Sequence, residues 1–128
     1  MDRFKLHSGL LSAEISLLGG ELRSLQLGDT QLIWQGDPAY WNGSAPFLFP
    51  FCGRVKDGVY RWQNLQYPMT IHGFLPSAQM AVAGHTDDRL TLKLTDLVTG
   101  MSYTMTPKRI GDAANQVGLD EVKGMTLR

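Results

Sequence analysis

Apolar and polar residues alternate through much of the first hundred positions of the chain. Leu11, Ala13, Ile15 and Leu17 are separated by Ser12, Glu14 and Ser16, a period of two that puts the apolar set on one face of a half-buried strand. Gly19-Gly20 closes that strand. A second extended segment runs from Glu21 to Leu27, and the turn Gly28-Asp29 leads into a third from Gln31 to Trp34, ended by Gly36-Asp37-Pro38. Further on, Gln79 to Gly84 and Arg89 to Thr95 flank the polar turn His85-Thr86-Asp87-Asp88, with Leu90, Leu92 and Leu94 alternating against Thr91, Lys93 and Thr95. This pattern predicts a hairpin. Short strands jointed by Gly and Pro, with no helical stretch between them to act as a crossover, predict an all-β antiparallel sandwich.

The run FLFPFCGR, Phe47 to Arg54, departs from simple alternation. As a strand it would aim Phe47, Phe49 and Phe51 one way and Leu48, Pro50 and Cys52 the other, so it is expected to be covered on both faces. Pro50 supplies no ladder donor, which implies an edge, a bulge or an interruption of pairing. After Tyr103 alternation ends. Ile110, Ala113, Ala114 and Val117 take helical spacing, weakened by Gly111, Gly118 and Gly124, so residues 104–128 are expected to be a divergent tail, either a short helix or disordered. Residues 1–103 are expected to form the β domain.

Composition narrows the partners. Twelve Lys and Arg balance twelve Asp and Glu, and no basic cluster suited to a phosphate backbone is present, so nucleic acid is not an expected partner. Apolar runs are short, none approaching the roughly 18 residues of a membrane span, and the opening MDRFKLHSG has no long apolar signal core; a cytoplasmic protein is expected, with no membrane partner. A single cysteine, Cys52, excludes an internal disulfide. With three scattered histidines it gives no structural zinc set, so no metal is expected, and Cys52 is assigned the role of a small buried hydrophobe.

Two residues stand out as candidates for chemistry. Arg54 follows the stiff apolar run and Gly53, a setting that could hold its guanidinium fork in one direction; alternatively it pairs with Asp57 or reaches water. His72, between Pro68 and Gly73, sits where a loop meets sheet. It is either a structural histidine bonded to backbone or a group for proton handling and hydroxyl binding. His7 and His85 are assigned structural or solvated roles. Trp34, Trp41 and Trp62 are expected in the core, the alternative being stacking on sugar faces.

The segments GGELRSL at 19–25, LIWQGDPAYWNGSAPFLFPFCGRVKDGVYRW at 32–62 and YPMTIHGFLPS at 67–77 carry a resemblance. Over residues 3–100 the chain resembles the N-terminal portion of the aldose 1-epimerase (galactose mutarotase) family, in its LacX-like branch. The resemblance implies a partial β-sandwich of the galactose mutarotase-like type, an isomerase that interconverts α and β anomers of aldoses, a small aldose as ligand and no cofactor. It implies Arg54 as a substrate-binding residue and His72 as both a substrate-binding and a catalytic residue. The family's general acid, a second histidine, and its glutamate base lie further along chains more than twice this length. His85, in the hairpin turn, and Glu121, in the divergent tail, do not match those positions. The expectation is therefore a truncated form that keeps sugar-binding residues without the acid and base. The alternatives are a non-catalytic carbohydrate-binding or strand-complementing module, with a second chain or a homo-oligomer as partner, and a non-functional fragment.

Overall fold

The computed structural model describes residues 3–95, 102–107 and 119–123. Strands β1 (Arg3–Ser8), β2 (Leu11–Ser16), β3 (Leu22–Leu27) and β4 (Thr30–Gln31) form one sheet in that order. The second sheet runs β10 (Leu119–Lys123), β9 (Ser102–Pro107), β8 (Leu90–Thr95) and β7 (Ala81–His85), and β5 (Val59–Trp62) pairs with β6 (Leu65–Pro68) as a separate ribbon. Among the described residues every pairing between strands is antiparallel. The protein is therefore all-β, as the alternation requires. Among the described residues no helix is long and apolar enough to cross a membrane.

Register explains the core. Leu6 of β1 stands opposite Ala13 of β2, and both are buried along with Ile15, Leu17 and Leu22. From the other sheet Leu90 and Leu92 close on the same cluster, which Leu75 and Met80 complete. The apolar face of β2 and the alternating leucines of β8 thus bury against each other, where removal of apolar surface from water stabilises the pair of sheets. Main-chain bonds tie the two sheets together: Met80 donates to the Leu17 carbonyl at 2.9 Å, Gly19 to Ala78 at 2.7 Å and His7 to Asp87 at 2.6 Å.

The β7–β8 hairpin forms where it is predicted, with its turn shifted by one residue to 86–89. His85 pairs with Leu90 as the last residue of β7, and the Thr86 amide closes the turn on the Arg89 carbonyl at 2.8 Å. His85 is consequently a strand residue, its ring edge-on to Phe4 at 5.1 Å. Of the segment expected to be extended from Gln31 to Trp34, only Gln31 lies in β4; Leu32 still donates to the Leu25 carbonyl at 2.8 Å, but the Leu25 amide bonds to the Gln31 side-chain oxygen at 3.0 Å and the ladder goes no further. The β5–β6 hairpin was not evident from alternation. Its turn uses Gln63 and Asn64, both at positive φ (49° and 64°), in place of the glycine that usually marks such a turn.

The largest correction concerns residues 47–52, which form no strand. Phe47 and Phe49 pack against the core, while Leu48 and Phe51 are 37% and 39% exposed. Cys52 is exposed as well, not a buried hydrophobe. Pro50 interrupts pairing, and the neighbouring main chain bonds to the loop at 72–75 instead of to a strand. The helical spacing noted at Ile110 to Val117 lies outside the described residues. Of the expected tail, residues 104–107 and 119–123 lie in the paired strands β9 and β10.

Candidate functional site

The loop after Phe49 and the turn at His72 are built as one unit. The Phe49 amide donates to the His72 carbonyl at 3.1 Å and the Leu75 amide donates to the Phe49 carbonyl at 3.2 Å, a short parallel bridge between the two segments. One turn further on, the His72 amide donates to the Gly53 carbonyl at 2.7 Å, and the Gly53 amide returns a bond to Nδ1 of the His72 ring at 2.9 Å. Gly53 and His72 therefore clasp each other through two hydrogen bonds of opposite sense. Phe49 and Phe74, from the same two segments, meet edge-on at 6.2 Å.

His72 pays a conformational penalty to be there. Its φ is +65°, the left-handed region that non-glycine residues seldom occupy, although histidine tolerates it better than most. Such a conformation persists where surrounding bonds over-determine it, and here the amide, carbonyl and ring of His72 are all engaged. The ring is half-buried. Its Nε2 makes no hydrogen bond among the described residues.

Arg54 immediately follows the clasp. It is exposed, and among the described residues its guanidinium makes neither hydrogen bond nor ion pair; the alternative pairing with Asp57 does not occur. The structure thus brings the two candidate residues together through Gly53, with Arg54 one residue away along the chain. The other histidines lie apart: His7 is an exposed β1 residue and His85 belongs to β7. Glu121 lies on β10. Among the described residues no group of three or more His, Cys, Asp or Glu is arranged to hold a metal ion.

A second organised loop, residues 34–45, carries the aromatics. Trp34 and Trp41 are 44% and 51% exposed, a correction to their expected core placement, while Trp62 is half-buried in β5. Polar bonds, not burial, shape this loop. Glu21 accepts from the Ser44 and Ala45 amides at 2.6 and 3.2 Å and pairs with Arg23 at 3.1 Å, and Arg23 donates to the Asn42 carbonyl at 2.9 Å. The Trp34 indole N–H donates to the Trp41 carbonyl at 2.8 Å, and the Ser44 hydroxyl bonds the Trp34 carbonyl. Sequence reasoning missed the work of Glu21, Arg23 and Gly53. For the first two the available signal was opposite charge two residues apart in an extended segment. For Gly53, no local pattern reveals a partner nineteen residues away.

Comparison with known proteins places these features in a family context. Residues 2–106 match the family model described as aldose 1-epimerase. The chromosomal LacX protein of Lactococcus lactis subsp. lactis is 31% identical over 96 residues, an alignment covering 70% of this chain and 32% of LacX. A galactose mutarotase related enzyme from Lactobacillus acidophilus superposes with a TM-score of 0.73 at 28% identity, over 82% of this chain and 37% of that one. A galactose mutarotase-like protein from Lactobacillus casei gives 0.72 at 28% identity, over 82% and 38%. The chain therefore spans 32% of the length of the curated relatives it matches.

Proposed function

Since the chain belongs to the aldose 1-epimerase family, we propose that the corner formed by Arg54, Gly53 and His72 is the sugar-binding half of a site for interconverting the anomers of an aldose. The observation that carries this reading is the double hydrogen bond between Gly53 and His72, which holds the main chain directly before the exposed Arg54 against a ring whose Nε2 has no described partner. A guanidinium offers five donors in a planar fork, and an imidazole adds one more polar group at a second angle. Neighbouring hydroxyls on a pyranose suit that arrangement, with the oxygens accepting from Arg54.

Turnover requires more than grip. Anomer exchange takes a proton from the C1 hydroxyl and delivers one to the ring oxygen, so an acid and a base must stand on different sides of one small ring. Family resemblance supplies His72 for contact with the sugar and puts the principal acid and base in later segments, to which no residue of these 128 corresponds. In this reading the chain binds and orients an aldose, and proton transfer depends on groups that it does not carry.

Calorimetric titration with a panel of aldoses tests the binding claim. Hydrogen bonds from a charged donor contribute about 1.5–3 kcal/mol, so Arg54→Ala is expected to weaken affinity by about ten- to a hundredfold. Equal heats from the parent chain and the variant would remove the proposal.

A further inference from the structure

We infer that the main-chain amide of Gly53 selects the tautomer of His72 and thereby makes this histidine a hydrogen-bond donor, not a base, toward whatever occupies the site. A peptide N–H can only donate, so the nitrogen it meets must present a lone pair. That nitrogen is Nδ1, 2.9 Å from the Gly53 amide. In the neutral ring the single hydrogen then resides on Nε2, the nitrogen left without a partner among the described residues. Nε2–H donates outward.

Gly53 acts here as a positioning residue. Its φ of +90° turns the amide toward the ring, a conformation that glycine adopts at little cost and other residues do not. Nothing lies within 4 Å of where its Cβ would be, so the choice of glycine answers to backbone direction and not to crowding. The opposite bond, from the His72 amide to the Gly53 carbonyl at 2.7 Å, holds both partners in register. His72 cannot turn its ring without losing the Nδ1 bond, nor can the loop swing away without losing the other.

The chemical consequence rests on the sugar-site reading for the identity of the occupant. Nε2–H can donate to a ring oxygen or a hydroxyl oxygen of a bound aldose, but in the neutral ring it has no lone pair with which to remove a proton. A base for the C1 hydroxyl must come from another group.

The tautomer can be observed directly on the ligand-free, isotope-labelled chain by two-bond proton–nitrogen correlation, at a pH where the histidines are neutral. His72 is expected to show a pyridine-type Nδ1 and a pyrrole-type Nε2, with a coupling across the hydrogen bond to the Gly53 amide nitrogen. His7 and His85, whose ring nitrogens have no described hydrogen bond, serve as internal references for the tautomer mixture set by solvent. In Gly53→Ala the His72 ratio should move toward that reference by about two- to tenfold, the effect of losing one neutral hydrogen bond. A protonated Nδ1, or a parent ratio equal to that of His7 and His85, overturns the inference; an unchanged ratio in Gly53→Ala removes the role of Gly53. Because the readout needs no ligand, a chain with the expected tautomer but no aldose affinity would remove only the sugar-site reading.

Discussion

Gly73 has no space for a side chain. A Cβ there would lie 1.9 Å from the Phe49 carbonyl oxygen and 2.6 Å from the Pro50 nitrogen, and φ is +78°. The close approach is what lets the Phe49 and His72 segments bond to each other at all. Gly73→Ala therefore combines steric overlap with a disfavoured backbone, and is expected to cost about 3 kcal/mol or more. Gly53→Ala meets only the backbone term, about 1–2 kcal/mol. Urea denaturation of both variants checks the order; equal midpoints would show that the clasp relaxes freely. At this scale His72 and Arg54 were both visible in the sequence as candidates, because an arginine after a glycine and a histidine before one are local patterns. Cys52, Trp34 and Trp41 were misplaced. Apolar character predicts burial only on average, and these three lie in loops held by polar bonds.

At the scale of elements, the loop from residue 34 to 45 depends on one carboxylate. Glu21 occupies both its oxygens, accepting the Ser44 and Ala45 amides through one and Arg23 through the other. Removing it leaves two peptide donors without their acceptor and leaves Arg23 bonded to the Asn42 carbonyl alone. Since the site is partly buried, Glu21→Ala is expected to cost about 2 kcal/mol and to open residues 36–44 to protease. Limited proteolysis with mapping of the first cut is the check, and a cleavage pattern identical to the parent's would show that the loop is held by other means. The strands themselves were legible wherever one face is apolar, as in β2 and β8. The β5–β6 ribbon was not, because its turn residues lack the usual glycine and neither of its strands has a buried residue.

For the whole molecule, one core joins two sheets, and leucines of β8 complete a surface begun by β1 and β2. Family membership gives this core its wider context, while the chain matches 32% to 38% of the length of the relatives described above. The proposed division between binding and proton transfer makes a prediction at this scale. An acid and a base each contribute about a hundred- to ten-thousandfold. A preparation of these 128 residues is therefore expected to leave the optical rotation of freshly dissolved α-glucose decaying at the rate seen in buffer. Polarimetry measures this directly, and catalysis abolished by His72→Ala would show that the chain carries a complete set of proton-transfer groups.

The sequence by itself determined the all-β class, the β7–β8 hairpin and the apolar face of β2. Side chains alternate across any extended backbone, so a period of two records which face is buried before any partner is known. It also marked Pro50 as an edge, a bulge or an interruption of pairing, without choosing among them. Only the tertiary structure decided what the chain around Pro50 does instead, that Gly53 bonds the ring of His72, and that two tryptophans remain exposed. Those outcomes depend on contacts between residues far apart in the chain, where hydrogen-bond direction and available space are set by how the sheets close and not by neighbouring letters.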